Sequence, residues 1–200
     1  MAGSGTVLIN TKAKKYIYND NDKRIAELFS FIKNDPLAYE KVKEVVQEYN
    51  LSSTNKIEYN NLRADYSINP TPAKLLALIC HSFSNGYEIT QKGKFNVPFG
   101  KRTLTNLFYR NYLNTKEFLN KNKVEIYNKD FSEIIPDNEN DFIYLDPPYL
   151  GADTNYNRHN GWTIIEENKM YDYVSKLKCI WWWRRSCYNK IISKNLWRNN

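Results

Sequence analysis

The sequence predicts an α/β fold, and three observations carry that prediction. Phe142-Ile143-Tyr144-Leu145 is an apolar run of buried-strand length, ended by Asp146-Pro147-Pro148-Tyr149, where two prolines forbid the strand from continuing. Lys15-Tyr16-Ile17-Tyr18-Asn19-Asp20 reads as a short strand running into an acidic end, preceded by the glycine turn Gly3-Ser4-Gly5. Between Lys23 and Lys33, Ile25, Leu28, Phe29 and Ile32 recur at helical spacing.

The remaining elements follow in order. After the glycine turn, Thr6 to Asn10 is an apolar stretch. Asp35-Pro36 restarts a helix as cap and first residue, carrying Leu37, Val42, Val45, Val46 and Tyr49 inward. A helix is expected from about Lys56 to Tyr66. Thr71-Pro72 caps another whose centre, Leu75 to Ile79, is apolar all round and therefore buried. Residues 93–100 are bracketed by glycines and broken by Pro98, which makes a loop or short hairpin. Residues 105–122 are moderately helical, Val124 to Tyr127 is a strand, and no internal repeat is present.

Residues 179–200 break the pattern. They hold four of the five tryptophans and five basic residues, with neither acid nor glycine. Neither strand alternation nor helical amphipathicity organises them, so a non-native or frame-shifted tail is expected, with a basic-aromatic tail as the competing reading.

Composition narrows the function classes. Two hundred residues suffice for one sizeable core. No apolar run is long enough to span a bilayer, and Met1 to Gly5 lacks the basic start of a secretory signal. Three cysteines at 80, 179 and 187 have no metal-ligand spacing and no even count, so a reducing intracellular setting fits. The net charge is +7, but without residues 179–200 the balance is 24 basic against 22 acidic. Eight basic residues between Lys92 and Lys123 stand against Glu117 alone, which suits a phosphate backbone or a plain solvated face.

The chemistry lies in two places. Open α/β sheets bind ligands at strand C-termini, where Asp146 to Tyr149 would stand. A flat base fits there: the Asp146 carboxylate and the Pro147 carbonyl accept hydrogen bonds from an exocyclic amine, and Tyr149 stacks on the ring. A bare strand-ending turn is the competing reading. Gly3, Gly5 and Asp20 have the order of a close-approach turn and a ribose-holding acid, though Asp20 could equally cap the helix near Asp22. Together the two places point to S-adenosylmethionine and an amine substrate. The cofactor's methyl carbon is already electrophilic, so alignment and charge stabilisation suffice and no metal is expected. An amine inside a duplex requires base flipping.

With those residues in hand, the chain resembles the DNA adenine-N6 methyltransferases of the Dam type, their phage-borne members especially, over about residues 2–178. Gly3 to Asn10 resembles that family's cofactor loop and Asn19-Asp20 its ribose-binding acid. Phe83-Ser84-Asn85, Lys92-Gly93 and Phe95 to Arg102 resemble its target-recognition region. Asp130-Phe131 is similar to the pair that holds the cofactor's adenine, and Asp146 to Tyr149 to the catalytic tetrapeptide. Their order is that of the α arrangement.

The resemblance implies a partial Rossmann-like, partly parallel S-adenosylmethionine-dependent methyltransferase sheet with a mostly helical target-recognition subdomain. It divides the chain into a cofactor part (1–50), a DNA-recognition part (51–122) and a catalytic part (123–178). It implies double-stranded DNA as partner, with base contacts from Ser84, Gly86, Glu88 and Pro98 and with Lys101 and Arg102 near phosphates. It further implies the cytoplasm of a bacterial or phage-infected cell, in a restriction-modification or orphan role, with a monomer favoured.

Glu88 stands where the family's base-reading arginine aligns. Arginine donates twice to guanine, whereas glutamate only accepts, for instance from cytosine N4, which turns the expectation away from GATC, the short duplex sequence in which the resemblance otherwise implies methyl transfer to adenine N6. Family members also carry a segment before the glycine loop and strands after the catalytic motif. The expectation is therefore an incomplete form with reduced or no activity. A DNA-binding remnant without chemistry and a cytosine-N4 or other amine methyltransferase stay open as alternatives.

Overall fold

The computed structural model describes residues 2–90, 92–136, 138–148, 162–178, 180–184 and 189–190, the last two ranges as backbone. The elements run α1 (Thr6–Ile9), β1 (Tyr16–Asn19), α2 (Lys23–Asn34), α3 (Ala38–Glu48), α4 (Lys56–Tyr66), α5 (Pro72–His81), α6 (Asn106–Lys121), β2 (Val124–Tyr127), β3 (Phe142–Leu145), α7 (Ile164–Lys176), β4 (Ile180–Arg184) and β5 (Asn189–Lys190). Single 3-10 turns stand at Phe83–Asn85 and Phe131–Glu133.

The helices begin where their caps allow. Asp22 accepts from the Arg24 amide at 2.9 Å, and α2 then buries Ile25, Leu28, Phe29 and Ile32. Asn55 caps α4 through the Glu58 amide, and Thr105 caps α6 through the Phe108 amide. Thr71 caps α5, and the helix is apolar all round because α2, α3 and α4 all pack against it.

Four elements differ from the sequence reading. The helix expected to begin at Pro36 begins at Ala38: the Asp35 carboxylate takes the Leu37 amide at 2.9 Å, which makes Asp35 to Leu37 a turn. Leu37 consequently faces solvent at 56% exposure instead of packing inward. The stretch after the glycine turn closes into the short helix α1. Helix α7 lay unpredicted, although Thr163 and Glu166 have capping-box spacing and Thr163 Oγ1 accepts from both Ile165 and Glu166 amides. Finally, Ile180–Arg184 is a strand where absent alternation predicted none. Strands of parallel sheets read as continuous apolar runs, so lack of alternation does not argue against one there.

The class is mixed α/β, as expected, with its strands in two sheets. β1 pairs in parallel with β2, from Tyr16 opposite Val124 to Asn19 opposite Tyr127. β3 pairs in parallel with β4, from Phe142 opposite Ile180 to Leu145 opposite Trp183, and β4 pairs antiparallel with β5. One hydrophobic cluster runs from Tyr16 to Val124 and gathers α2 to α6 around β1 and β2. A second joins Phe131, Leu145, Met170, Val174 and Leu177, fastening α7 beneath β3.

His81, at the end of α5, is wholly buried. Its Nδ1–H donates to Ala77 O at 2.8 Å, while Nε2 has no partner. Burial holds its pKa below 6.5, against the opposing pull of that hydrogen bond. The unfolded chain thus gains a proton on this residue before the folded chain does. Stability should fall as pH drops below about 6.5, by up to about 1.4 kcal/mol per pH unit until the folded imidazole also titrates. Urea melts of the wild type and His81→Phe at several pH values test this; the variant should show the shallower acid limb.

Candidate functional site

The glycine loop and Asp20 are in direct contact. The Ala2 and Gly3 amides donate to Asp20 Oδ2 at 3.0 and 2.9 Å, and the Asp22 amide donates to Oδ1 at 2.9 Å. One carboxylate thereby pins the loop before α1 to the end of β1. Gly3 and Gly5 adopt positive φ, +51° and +69°. A Cβ on Gly5 would sit 2.9 Å from the Phe29 ring, whereas the space above Gly3 is open. Tyr18 stacks on Phe29 with ring centroids 4.1 Å apart and donates its hydroxyl to Gly3 O at 2.6 Å. Burial raises the Tyr18 pKa, helped by the charges of Asp20 and Asp22, so that hydroxyl stays a donor. Ser4 is exposed and hydrogen-bonds Thr6 side chain to side chain.

The loop after β2 is stitched to the loop after β1. Asn19 donates its amide to Lys129 O and accepts the Lys129 amide, both at 3.0 Å, and Asn128 donates to Asp20 O at 2.8 Å. Asp20 and Asp130 therefore follow neighbouring parallel strands at the same end, the end where such sheets bind ligands. Asp130 caps the 3-10 turn Phe131–Glu133, taking the Ser132 amide and hydroxyl on Oδ1, and pairs with Lys169 at 2.9 Å through Oδ2. Burial alone would raise its pKa; the Ser132 and Lys169 contacts outweigh it and hold the carboxyl ionised. Phe131 packs between Trp162 and Tyr173 and is 8% exposed. Sequence reading assigned this pair to a ligand's base, and here both side chains are largely engaged by the protein itself.

Asp146 leaves the C-terminal end of β3 with its side chain exposed, and accepts from the Tyr144 hydroxyl at 3.3 Å. Leu145 and Pro147 on either side are buried, so the backbone is anchored while the carboxylate faces outward. Tyr149 lies outside the described residues.

The third group sits on a hairpin. Ser82 bridges Phe99 and Ile89 bridges Phe95, both antiparallel, with Gly93 at φ +76° in the turn. Tyr59 donates its hydroxyl to Val97 O at 2.9 Å, and the Arg63 guanidinium donates to Phe95 O, so α4 holds the returning arm. Ser84, Pro98, Lys101 and Arg102 are all exposed. The hairpin's open end brings them together, since the Phe83 amide donates to Pro98 O at 2.8 Å and the Gly100 amide to His81 O at 2.9 Å. Ser84, Asn85 and Lys101 hold positive φ without being glycine, a concentration of backbone strain common at functional sites. Gly86 is hemmed in by Phe83 O and Val97. Glu88 stands further along, its Oε1 accepting from Asn96 Nδ2 at 2.7 Å.

Sequence reasoning missed Tyr87, whose hydroxyl donates to Asp22 Oδ2 at 2.5 Å, and Lys169 beside Asp130. No local signal marks either one, because their partners lie 65 and 39 positions away. Among the described residues, no group of three or more His, Cys, Asp and Glu side chains is arranged to hold a metal ion.

Comparison with known proteins places the chain in a family. A family model described as D12 class N6 adenine-specific DNA methyltransferase matches residues 2–199. The modification methylase StsI of Streptococcus sanguinis is 32% identical over 186 residues, covering 88% of this chain and 28% of the relative. The type II methyltransferase M.FokI of Planomicrobium okeanokoites is 26% identical over 189 residues, covering 88% of this chain and 29% of the relative. The DNA adenine methylase of Salmonella typhi is 24% identical over 189 residues, covering 88% and 65% respectively. The chain thus spans under a third of the length of the first two.

Proposed function

The chain belongs to the D12 class of N6 adenine-specific DNA methyltransferases, and on that premise we propose that it transfers a methyl group from S-adenosylmethionine to N6 of an adenine flipped out of duplex DNA. The observation that carries this reading is Asp146: an exposed carboxylate at the end of a parallel strand, on backbone anchored by buried Leu145 and Pro147. In this reading β1, β2 and β3 belong to a partial Rossmann-like sheet, and the hairpin from Ser82 to Gly100 is the DNA-reading element.

The residues around Asp20 fit the cofactor. A carboxylate offers about four acceptor positions, and three are taken by backbone amides, so Asp20 retains capacity for a ribose hydroxyl. The open space over Gly3 admits a ligand close to the backbone. Bound there, S-adenosylmethionine supplies an electrophilic methyl carbon. Gly3, Ser4 and Gly5 line its approach, Asp20 holds the sugar, and Asp130 with Phe131 borders the adenine. Asp146 and the Pro147 carbonyl accept hydrogen bonds from the target amine and thereby raise the availability of its lone pair. Tyr149 would supply the ring that stacks on the base. Ser84, Gly86, Glu88 and Pro98 face base edges, and Lys101 and Arg102 meet phosphates.

Asp20→Ala should weaken S-adenosylmethionine binding about tenfold or more, because a hydrogen bond to a charged group and the loop's anchor are both lost. Isothermal titration of both proteins measures the ratio. The function itself is tested with protein in excess over unmethylated duplex and methyl-labelled S-adenosylmethionine, followed by nucleoside mass spectrometry. Label in N6-methyladenine is the expected result. Label in cytosine would overturn the assignment, and no label in DNA together with a mobility shift indifferent to cofactor would point to DNA binding without chemistry.

A further inference from the structure

Two ties join the hairpin to the junction of β1 and α2, and neither belongs to the roles assigned above. Tyr87 Oη donates to Asp22 Oδ2 at 2.5 Å, across 65 positions of sequence. Arg24, two residues on, holds its guanidinium against the hairpin turn, 3.3 Å from where a Cβ on Gly93 would stand.

Asp22 is also bound on its other sides. Its amide donates to Asp20 Oδ1 at 2.9 Å, and its Oδ1 caps α2 through the Arg24 amide at 2.9 Å. Asp20 in turn holds the Ala2 and Gly3 amides. A continuous hydrogen-bonded line therefore runs from the glycine loop through Asp20 and Asp22 to Tyr87. Tyr87 packs edge-on against Phe95 of the opposite arm, with centroids 6.4 Å apart, so the line ends in the hairpin's own core. The hairpin's other named anchors, Tyr59 and Arg63, run instead to α4. Burial and the Asp22 charge keep the Tyr87 hydroxyl protonated, hence always the donor.

We infer that Tyr87 and Asp22 form a strut that couples the cofactor loop to the DNA-reading hairpin, making Tyr87 a positioning residue for the reaction. The inference rests on the function proposed above. A ligand that settles on Asp20 tightens the segment to which Tyr87 is tied, and the hairpin is then held in its reading position. DNA that seats the hairpin tightens the cofactor loop by the same factor, since coupling between binding sites is reciprocal.

The test is a thermodynamic cycle with sinefungin, an analogue that cannot donate methyl, and unmethylated genomic DNA fragments. Sinefungin affinity is measured with and without saturating DNA for wild type, Tyr87→Phe and Asp22→Asn. In the wild type DNA should tighten sinefungin at least about fivefold, the low end of typical coupling. In Tyr87→Phe the ratio should fall towards one, while thermal melts still show a cooperatively folded protein and the affinity for sinefungin alone changes far less than the ratio does. Asp22→Asn keeps the helix cap on its single oxygen and turns its amide NH2 towards the Tyr87 oxygen, which can accept, so a weaker, uncharged tie remains and its ratio should lie between the two. A ratio retained in Tyr87→Phe, or a wild type without coupling, overturns the strut and leaves the proposed function standing. Failure of the wild type to bind sinefungin at all removes both.

Discussion

Gly100→Ala is expected to destabilise the protein by about 3 kcal/mol, the upper end of what overpacking costs. A Cβ at Gly100 would lie 2.1 Å from Ser82 O, 2.3 Å from Ser82 C and 2.6 Å from the Phe83 amide nitrogen. All three are backbone atoms, so no rotamer change relieves the clash. Ser82 cannot retreat, because it is wholly buried, with its hydroxyl within 2.9 Å of Ile79 O and 3.0 Å of Gly86 O. The substitution must therefore open the Ser82–Phe99 bridge and the Gly100–His81 hydrogen bond, which together close the base of the hairpin. Urea unfolding reads the loss, and Gly3→Ala supplies the control. Nothing lies within 4 Å of a Cβ at Gly3, so that variant bears only its positive-φ strain, about 1 kcal/mol. Equal losses in the two variants would contradict the steric argument.

Asp146→Ala is expected to lower the methyl-transfer rate by about 10²–10³-fold, the scale seen when one preorganised polar group is removed from a reacting centre. The melting curve should hardly move. Asp146 is exposed and its one described side-chain partner is Tyr144 at 3.3 Å, so the change belongs with surface substitutions, within about 0.5 kcal/mol. Asp146→Asn retains an oxygen acceptor and should fall between wild type and alanine. Single-turnover transfer measured beside thermal melts separates the two effects. A large loss of stability in the alanine variant would mean that the carboxylate holds the fold rather than the substrate.

Much of the fold was legible because its signals are local. Helix α4 was read from Lys56 to Tyr66 and occupies those residues. Thr71-Pro72 marked the start of α5 for a reason that operates within four residues: a side-chain oxygen on an otherwise orphaned amide. Where a local signal competed with a longer-range contact, the reading slipped. Asp35-Pro36 has the form of a cap and first helical residue, yet Lys116 donates to the Asp35 and Pro36 carbonyls and holds them in a turn. β4 was missed because the alternation test assumes one wet face, which a strand beside a parallel neighbour need not have.

The site divides along the same line. From the sequence alone came the residues proposed for the chemistry, Gly3, Gly5, Asp20 and Asp146, because the turn, the strand ends and the prolines that display them are encoded within a few positions of each. Only the tertiary structure decided which of them meet. It tied Asp20 to the glycine loop across 17 positions, the Asp130 loop to Asn19 across 110, and Tyr87 to Asp22 across 65. Hydrogen bonds between segments that distant depend on parallel register and on how helices stack over the strands. Neither is written in any single stretch of chain, which is why residue type could be read early and partnership could not.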